Sequence, residues 1–320
     1  MTHKTSVVIP FYQEEAGILR EAVVSACSQT GMSDLEIIVI DDGSPSPARA
    51  DLEALDLPAH VTLKVIEQPN RGPGAARNRG LDSVSPDTEF VAFLDSDDRW
   101  TASHLANAVS ALDHGYDLYF ADRWHSARNQ SFFDANSRPE VAMHGDPEQR
   151  LHRFIGRATL ETNLCPTSCV VYRYRDFADL RFVEDVYVGE DRVFWRELTG
   201  RTDRVIFSDE MEAISGTGIH ICQTSGWGTP RVFWKLYHYM KWHKWLRDNG
   251  DLDKLDQEKN AERIRNVRRH FALNLLHDLK EGRSLANRDV LRFVLCDPIV
   301  LLYLAPTTLQ ELRRKLIVQR

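Results

Sequence analysis

The sequence predicts an α/β protein whose central sheet is mostly parallel and is covered by helices on both faces. In the first hundred residues, short apolar runs typical of strands buried on both faces alternate with segments of helical spacing. Polar clusters follow several of these apolar runs directly. Because ligands bind beyond the carboxyl ends of parallel strands, these clusters predict a single site at one edge of the sheet.

The predicted strands and helices follow one another in a regular order. "TSVVIPF" is the first strand, and "GILREAVVSACSQ" is a helix with an apolar face at helical spacing. "LEIIVIDDGS", "VTLKVIEQ" and "FVAFLD" are further strands, with the helix "GAARNRGLDSV" between the last two. Later, "TSCVVYRY" (167–174) is typical of a strand and "GEDRVFWRELT" of a helix, whereas residues 125–150 are polar and aperiodic and predict a loop.

Charge divides the chain into two parts. The 320 residues carry a net charge of −7, which argues against a nucleic-acid partner. Residues 254–320 hold fourteen Lys and Arg against eight Asp and Glu, or +6, so residues 1–253 carry −13. A basic helical segment therefore follows an acidic α/β part.

Cysteine usage and hydropathy indicate a cytoplasmic protein. The five cysteines are odd in number and lack paired metal-ligand spacing, which predicts buried free thiols in a reducing compartment. The N-terminal residues enter a strand without a signal peptide's apolar stretch. No apolar run reaches the roughly 18–20 residues that a spanning helix needs. We therefore expect neither secretion nor a membrane span.

Three aspartates within four positions, Asp95, Asp97 and Asp98, follow the strand "FVAFLD". Like charges this close repel one another unless something neutralises them. Clustered carboxylates in a loop bind hard cations such as Mg²⁺ or Mn²⁺, which keep positions for water or a substrate phosphate. The alternative is structural, because Asp98 could instead cap a helix expected near residues 101–112.

Two further polar clusters follow strands in the same half. Asp41 and Asp42 end the second strand, where a plain Asp-Gly turn is the alternative to a ligand site. "NRGPGAARNRG" (70–80) superficially matches a dinucleotide-binding glycine pattern, but Arg77 occupies the third glycine position and the segment follows the third strand. What remains is a Gly-rich turn before a helix N-terminus, a natural phosphate site.

Together these motifs resemble the inverting glycosyltransferases of family 2, which have the GT-A fold. The resemblance rests on "VVIPFYQEE", "IIVIDDGSPSP", "NRGPGAARNRGLD" and "FVAFLDSDDRW" in that order, with "GED" further on, and it covers roughly residues 4–195. Within the family, the chain looks most like bacterial exopolysaccharide transferases, including succinoglycan-type glucosyltransferases. The implied organisation is a GT-A domain at 1–222, with a nucleotide-binding half (1–98) and an acceptor half (99–222), and a basic, aromatic-rich helical extension at 223–320.

The resemblance implies a role for each matching residue on the donor side. Tyr12 would stack on the nucleotide base, and Asp42 would hydrogen-bond it. Arg77 would lie near the base and phosphates, Asp95 would face the ribose, and Asp97 would bind the metal. Further residues expected at the nucleotide-sugar site are Pro10, Glu14, Asp41 and Ser96, and further metal candidates are Asp95 and Asp98.

On the acceptor side, the resemblance implies that Asp191 is the general base and that Glu190 orients the acceptor. The local alternative for this pair is stabilisation of a helix N-terminus. Family members often carry a metal-binding histidine beyond the base, for which His220 is the candidate, although a lone histidine is more often structural. Trp227, in "SGWG" (225–228), would act as a flap that closes over the sugar.

The chemistry agrees with these roles. A sugar nucleotide leaves as a diphosphate, whose growing charge is stabilised by Mn²⁺ or Mg²⁺ and by arginines. One carboxylate that deprotonates the acceptor hydroxyl and one in-line displacement invert the anomeric centre. The resemblance implies a UDP-sugar donor, glucose as the expected hexose, and a glycan acceptor, such as a polyprenyl-diphosphate-linked oligosaccharide. Two rivals are a sugar nucleotidyltransferase and a non-catalytic sugar-nucleotide-binding scaffold.

Two segments of the extension are candidates for contact with a membrane. Residues 231–247 mix five Lys and Arg with six aromatics, which fits either a helix lying on an anionic membrane or a helix packed against protein. "VLRFVLCDPIVLLYLAP" (290–306) is apolar but interrupted by Arg292 and Asp297–Pro298, and it suits an interface or a core. A lipid-linked acceptor would favour peripheral binding to the cytoplasmic face of the inner membrane.

Overall fold

The computed structural model of the protein describes residues 3–136, 141–142, 150–154, 164–216, 226–229, 231–283 and 287–304. These residues form two compact units, one of residues 1–185 and 190–219 and the other of residues 186–189 and 220–320. The boundary predicted at 222/223 lies outside the described residues, and the two predicted halves of the first domain stay a prediction.

The first unit is a mixed α/β structure built on one sheet, as the sequence predicts. Its strands are β1 (Lys4–Phe11), β2 (Asp34–Asp41), β3 (Val61–Glu67), β4 (Phe90–Phe93), β5 (Asp98–Trp100), β6 (Leu118–His125), β7 (Gln130–Ser131), β8 (Val141–Ala142), β9 (Leu151–Phe154), β10 (Val170–Arg173) and β11 (Val205–Ser215). Its helices are α1 (Ile18–Cys27), α2 (Ala48–Asp51), α3 (Pro73–Leu81), α4 (His104–Asp113), α5 (Phe132–Asn136) and α6 (Glu190–Arg201).

The strand order of the sheet is β3-β2-β1-β4-β10-β6-β11-β9-β8, with β5 paired to β11 and β7 to β6. The first four strands in this order are mutually parallel, whereas β10 is antiparallel to both of its neighbours. Side chains of β1 alternate between two cores, since Val7 and Ile9 pack on one face of the sheet and Val8 on the other. This burial on both faces explains the unbroken apolar run "SVVI".

Helix α3 packs very closely on β1, which accounts for one glycine of the Gly-rich segment. A Cβ built on Gly80 would lie 2.3 Å from Cγ1 of Val8. No side chain larger than hydrogen fits there without separating the helix from the strand. Gly80 therefore serves helix packing, and it does not form a ligand cradle.

Two local expectations are wrong. Asp98 does not cap a helix, because it is the first residue of β5, and α4 begins only at His104 without a side-chain cap. The segment predicted as a loop from residue 125 to 150 contains β7 and α5, in which Phe132 and Phe133 are buried. Two buried aromatics hold this short stretch against β6 although it has no periodic pattern.

The second unit is helical and has its own core. Its helices are α7 (Val232–Asn249), α8 (Lys254–Lys280) and α9 (Arg288–Cys296), followed by a 3₁₀ helix at Pro298–Tyr303. The ring of Phe271 on α8 lies 5.3 Å from that of Phe233 on α7 and 4.2 Å from that of Phe293 on α9. Among the described residues, no helix is both long enough and apolar enough to cross a membrane.

Candidate active site

The carboxyl ends of three neighbouring parallel strands bring the predicted donor residues to one edge of the sheet. Phe11 of β1 pairs with Asp41 of β2, and Val8 of β1 pairs with Phe93 of β4. Tyr12 follows β1, Asp42 follows β2 and the aspartate cluster follows β4. The side chain of Tyr12 is exposed.

Asp41 and Asp42 are both buried and bind nearby polar groups. The carboxylate of Asp41 accepts hydrogen bonds from the backbone N–H groups of Ser44 and Ala48, each at 2.8 Å. Asp42 accepts from the side-chain amide of Gln68 and from the backbone N–H groups of residues 71 and 72, each at 2.8 Å. Burial raises the pKa of Asp42, against these hydrogen bonds, which favour its ionised form.

The Gly-rich turn before α3 binds Asp42 through its backbone. Its N–H groups at Arg71 and Gly72 donate to Asp42, so these two amides are not available to a phosphate. The φ angle of +91° at Gly72 belongs to the left-handed region that favours glycine. The turn therefore fixes Asp42 and α3, and Arg77 is the side chain that α3 presents toward the aspartate cluster.

Arg77 joins two carboxylates of the site, Asp95 and Glu190, and the second of these lies 113 residues beyond Arg77 in sequence. Its Nη2 donates to Oδ1 of Asp95 at 2.8 Å, and its Nη1 donates to Oε1 of Glu190 at 2.9 Å. The guanidinium is buried and lies 5.3 Å from the ring centre of Phe182. The two carboxylates raise the pKa of Arg77 although burial opposes its charge, so Arg77 stays a cation.

The Nε atom of Arg77 is buried, and no described residue accepts a hydrogen bond from it. The two carboxylates thus occupy the Nη1 and Nη2 atoms of Arg77 and leave its Nε–H unused. A buried cation with an unused donor is suited to an anionic group of a substrate.

Glu190 and Asp191 begin α6 in different environments. Glu190 is buried, and burial together with the neighbouring charge of Asp191 raises the pKa of Glu190 to about 7, against the attraction of Arg77. Asp191 is only half-buried, and its Oδ2 accepts a long hydrogen bond of 3.4 Å from Thr167. Asp191 is thus the more accessible carboxylate, whereas Glu190 holds Arg77.

The aspartate cluster after β4 divides between the site and the interior. Asp95 and Asp97 are half-buried, and Ser96 is buried beside the side-chain amide of Gln13 at 3.4 Å. Asp98 is buried, and its Oδ2 accepts from Arg123 at 2.6 Å and from Ser168 at 2.5 Å.

Burial raises the pKa of Asp98, with the charge of Arg123 opposing that effect. Asp98 therefore supports the turn from inside, and the metal contact that the sequence predicts for it stays a prediction.

The donor set of this loop fits a hard divalent cation that is shared with a substrate. In Asp95, Arg77 binds Oδ1, and no described residue bonds Oδ2. Over the described ranges, no group of three or more His, Cys, Asp and Glu side chains is arranged to hold a metal by itself. Asp95 and Asp97 would hold Mg²⁺ or Mn²⁺, with water and phosphate oxygens completing its coordination.

The remaining predicted residues are spread over both units. Pro10 is half-buried in β1 and Glu14 is exposed in the following loop. Trp227, the predicted flap, belongs to the second unit, where its side chain is 58% exposed and its ring lies 5.7 Å from that of His277. His220 lies outside the described residues. The roles expected for these residues stay predictions.

Several residues of the site carry no local signal in the sequence. Arg123 lies on β6, and Ser168 lies in a short 3₁₀ turn ahead of β10, yet both bind Asp98. The hydroxyl of Ser168 also accepts from the backbone N–H of Asp95 at 3.1 Å. Gln68, directly after β3, could have been suspected only from its position at a strand end.

The described cysteines agree with the prediction that they are free thiols. Cys27, Cys165, Cys169 and Cys296 are free thiols, and burial raises the pKa of each. Raised thiol pKa values disfavour the reactive thiolate.

A mixed sheet with a C-terminal helical region is the fold of the GT-A glycosyltransferases. In this chain, carboxylates and a buried arginine lie at the carboxyl edge of that sheet. The model of the family Glycosyl transferase family 2 matches residues 6–181, more than half of the chain. The protein belongs to this family, and the resemblance inferred from the motifs is confirmed.

Two relatives of known designation are similar to the chain. The succinoglycan biosynthesis protein ExoW of Rhizobium meliloti (strain 1021) is 35% identical over 225 residues, which cover 68% of this chain and 70% of the relative. The GalNAc(5)-diNAcBac-PP-undecaprenol beta-1,3-glucosyltransferase of Campylobacter jejuni is 30% identical over 120 residues, which cover 37% of this chain and 38% of the relative.

Solved structures show the same fold. Residues 1–349 of TarS from S. aureus, in complex with UDP-GlcNAc, match with a TM-score of 0.55 and 22% identity over 91% of this chain and 79% of TarS. The mannosyltransferase PcManGT from Pyrobaculum calidifontis, in complex with GDP-Man and Mn²⁺, matches with a TM-score of 0.56 and 18% identity over 97% and 87% of the two chains. At these identities the likeness concerns the fold alone.

Proposed function

We propose that the protein transfers a hexose, with glucose as the expected sugar, from a UDP-sugar to a hydroxyl group of a glycan acceptor with inversion at the anomeric carbon. Exopolysaccharide biosynthesis as the setting is supported by the ExoW relative. A UDP-linked donor is supported by the fold neighbour that binds UDP-GlcNAc. An acceptor on polyprenyl diphosphate is supported by the Campylobacter relative, which acts on an undecaprenol-linked glycan.

One observation carries the proposal: Arg77 binds the aspartate loop and the Glu190–Asp191 helix at once. The donor diphosphate needs a cation where its charge grows, and the acceptor hydroxyl needs a nearby base. Arg77 couples the positions of these two functions, because it hydrogen-bonds a carboxylate of each.

The donor is held by residues at the strand ends. Tyr12 stacks on the base, and Asp42, fixed by the turn before α3, hydrogen-bonds it. Asp95 faces the ribose and, with Asp97, the diphosphate end. The other residues assigned to this site are Pro10, Glu14, Asp41 and Ser96.

A divalent cation, when bound, neutralises charge that develops on the leaving diphosphate. Asp95 and Asp97 are the residues that would hold it. The PcManGT neighbour, whose complex contains Mn²⁺, supports divalent-metal use.

Asp191 supplies the base for the reaction. The acceptor oxygen forms a bond to the anomeric carbon while the bond from that carbon to the diphosphate oxygen breaks. The hydroxyl proton passes to the carboxylate of Asp191, and the nucleoside diphosphate leaves with the electron pair. Glu190 keeps Arg77 in place and so acts as a positioning residue.

Membership of the family favours this function over the two rivals. A nucleotidyltransferase releases pyrophosphate and has no need of a base at Asp191. A binding scaffold turns over no donor at all.

A donor panel tests the proposal. Purified protein is mixed with UDP-, GDP-, TDP- and CMP-sugars, with and without Mn²⁺ or Mg²⁺, and nucleotide release is measured with and without a glycan acceptor. We expect metal-dependent release from one UDP-sugar, stimulated by acceptor. Release of pyrophosphate would indicate the nucleotidyltransferase, and donor binding without turnover in the presence of acceptor would indicate the scaffold.

Asp191→Asn tests the base. Donor affinity should be kept, and transfer should fall by about 10²–10⁴-fold, the typical contribution of general-base catalysis. Asp203→Asn is the matched control, because Asp203 has a side chain 80% exposed in the loop before β11. Equal transfer by both variants would remove Asp191 from the reaction.

A further inference from the structure

The last described helix and the 3₁₀ helix after it expose an unusual number of large apolar side chains. Within twelve residues, five are 49–74% exposed, namely Leu291, Leu295, Ile299, Leu301 and Leu302. Scattered exposed leucines are ordinary on protein surfaces, but a cluster of this density marks a surface that meets something apolar. We call these five residues the leucine patch.

The patch is an outward face of an ordered element. Helix α9 turns Phe293 inward, fully buried and stacked on Phe271 of α8. Val300 of the 3₁₀ helix is also fully buried. The chain is therefore anchored by Phe293 and Val300, and the leucines face away because the inner positions are already filled.

Two arginines lie beside the patch. Arg288 and Arg292 are exposed on α9 itself, and Arg292 pairs with Asp289 one turn away at 3.2 Å. Behind it, the buried Asp297 is neutralised by Lys244 at 3.1 Å and by Arg268 at 2.6 Å, so it does not present a negative charge to the surface. The sequence that follows, residues 305–320, adds four Lys and Arg against one Glu. An apolar face with basic neighbours matches an anionic lipid surface.

The composition favours lipid over protein as the partner. Protein–protein hot spots are enriched in Trp, Tyr and Arg, whereas Leu is under-represented in them. The exposed apolar side chains here are all aliphatic. The aromatic helix α7, the other candidate for membrane contact, buries the aromatic side chains of Phe233 and Trp242, so packing against protein accounts for these two.

We propose that the leucine patch docks the protein on an anionic bilayer, with its side chains in the headgroup–acyl boundary and the arginines of α9 on lipid phosphates. The inference rests on the proposed function in one respect, since a polyprenyl-linked acceptor would lie in that bilayer. Docking itself needs no donor and no turnover, so it can be tested separately.

Vesicle flotation tests the inference. The full chain is mixed with vesicles of phosphatidylcholine alone or of phosphatidylcholine with phosphatidylglycerol, at low and high salt. We expect flotation with the anionic vesicles that weakens with salt, because the charges around the patch are screened. Leu295→Glu combined with Leu302→Glu should weaken the binding at least about tenfold, since each leucine contributes on the order of one factor of ten when buried.

Leu255→Glu is the matched control. Leu255 is 58% exposed at the start of α8, thirteen residues and thus about 20 Å along that helix from Arg268, which contacts Asp297. This variant should float like the wild type. Circular dichroism and donor hydrolysis in vesicle-free buffer, measured on all variants, separate loss of docking from loss of fold or of function.

Three outcomes would overturn the inference. The first is a wild-type chain that does not float with anionic vesicles. The second is equal flotation of the double variant and the wild type. The third is self-association of the wild type, seen by sedimentation velocity and abolished in the double variant, without any vesicle binding; the patch would then be an interface between copies of this chain.

Discussion

The buried Glu190 makes the stability of the protein depend on pH in a direction that is unusual for a carboxylate. Its pKa of about 7 in the fold lies above the ordinary 4.5, because burial and Asp191 disfavour its charge more than Arg77 favours it. The folded state therefore holds this proton more tightly than the unfolded state does. The stabilising contribution is complete below about pH 4.5 and is lost as the pH rises to about 7.

The size of the effect follows from the same values. Each pKa unit is worth about 1.4 kcal/mol, so the gap between 4.5 and about 7 corresponds to about 3 kcal/mol of free energy of unfolding. Glu190→Gln removes the titrating group and keeps its shape. The free energy of unfolding of the wild type minus that of this variant should fall by about 3 kcal/mol between pH 4.5 and pH 8.

Urea unfolding at several pH values, in buffer with a chelator to remove divalent metals, measures this difference. Glu197→Gln is the matched control, since it removes one carboxylate two turns further along α6. Subtracting each variant from the wild type cancels the titration of all other groups, including histidines. If the Glu190→Gln difference stays constant to within about 1 kcal/mol, burial does not govern the protonation of Glu190 and the reasoning is refuted.

Two further predictions concern single sites. Gly189→Ala should lower the free energy of unfolding by about 2–5 kcal/mol, because φ there is +87° and the new Cβ would lie 2.7 Å from Trp242. Gly115→Ala is the control, since φ there is +94° but nothing lies within 4 Å of the new Cβ. It should cost only about 1–2 kcal/mol. Equal losses in urea unfolding would show that the contact with the indole is not tight. Asp98→Asn should cost about 3 kcal/mol, since it leaves the half-buried charge of Arg123 without the carboxylate that it hydrogen-bonds. A loss below about 1 kcal/mol in the same assay would contradict that pairing.

Local patterns predicted much of the first unit. The strand "SVVI" in β1 is recognisable because a strand buried on both faces needs an unbroken apolar run, and α1 because one apolar face repeats at helical spacing. The placement of Asp42 and Asp95 at one edge also followed from sequence, since parallel strands end together. The family itself was recognisable from the order of its motifs.

Local patterns failed where long-range packing decided the outcome. Residues 130–136 look aperiodic, yet Phe132 and Phe133 are buried against β6. The predicted strand at 167–174 begins only at Val170, after a 3₁₀ turn that delivers the hydroxyl of Ser168 to Asp98. Neither the burial of these phenylalanines nor the 3₁₀ turn can be recognised from a few neighbouring residues. Each depends on a surface that a distant part of the chain provides.

The sequence by itself determined the fold class, the family and the strand-end aspartates, because each can be recognised from short stretches of contiguous residues. Only the tertiary structure decided what those residues bind. In the fold, Arg77 hydrogen-bonds both Asp95 and Glu190, and Asp98 is buried against Arg123. The leucines of α9 are exposed. The physical reason is that a charge or an apolar side chain is defined by its surroundings, and these come from residues that are distant in the sequence.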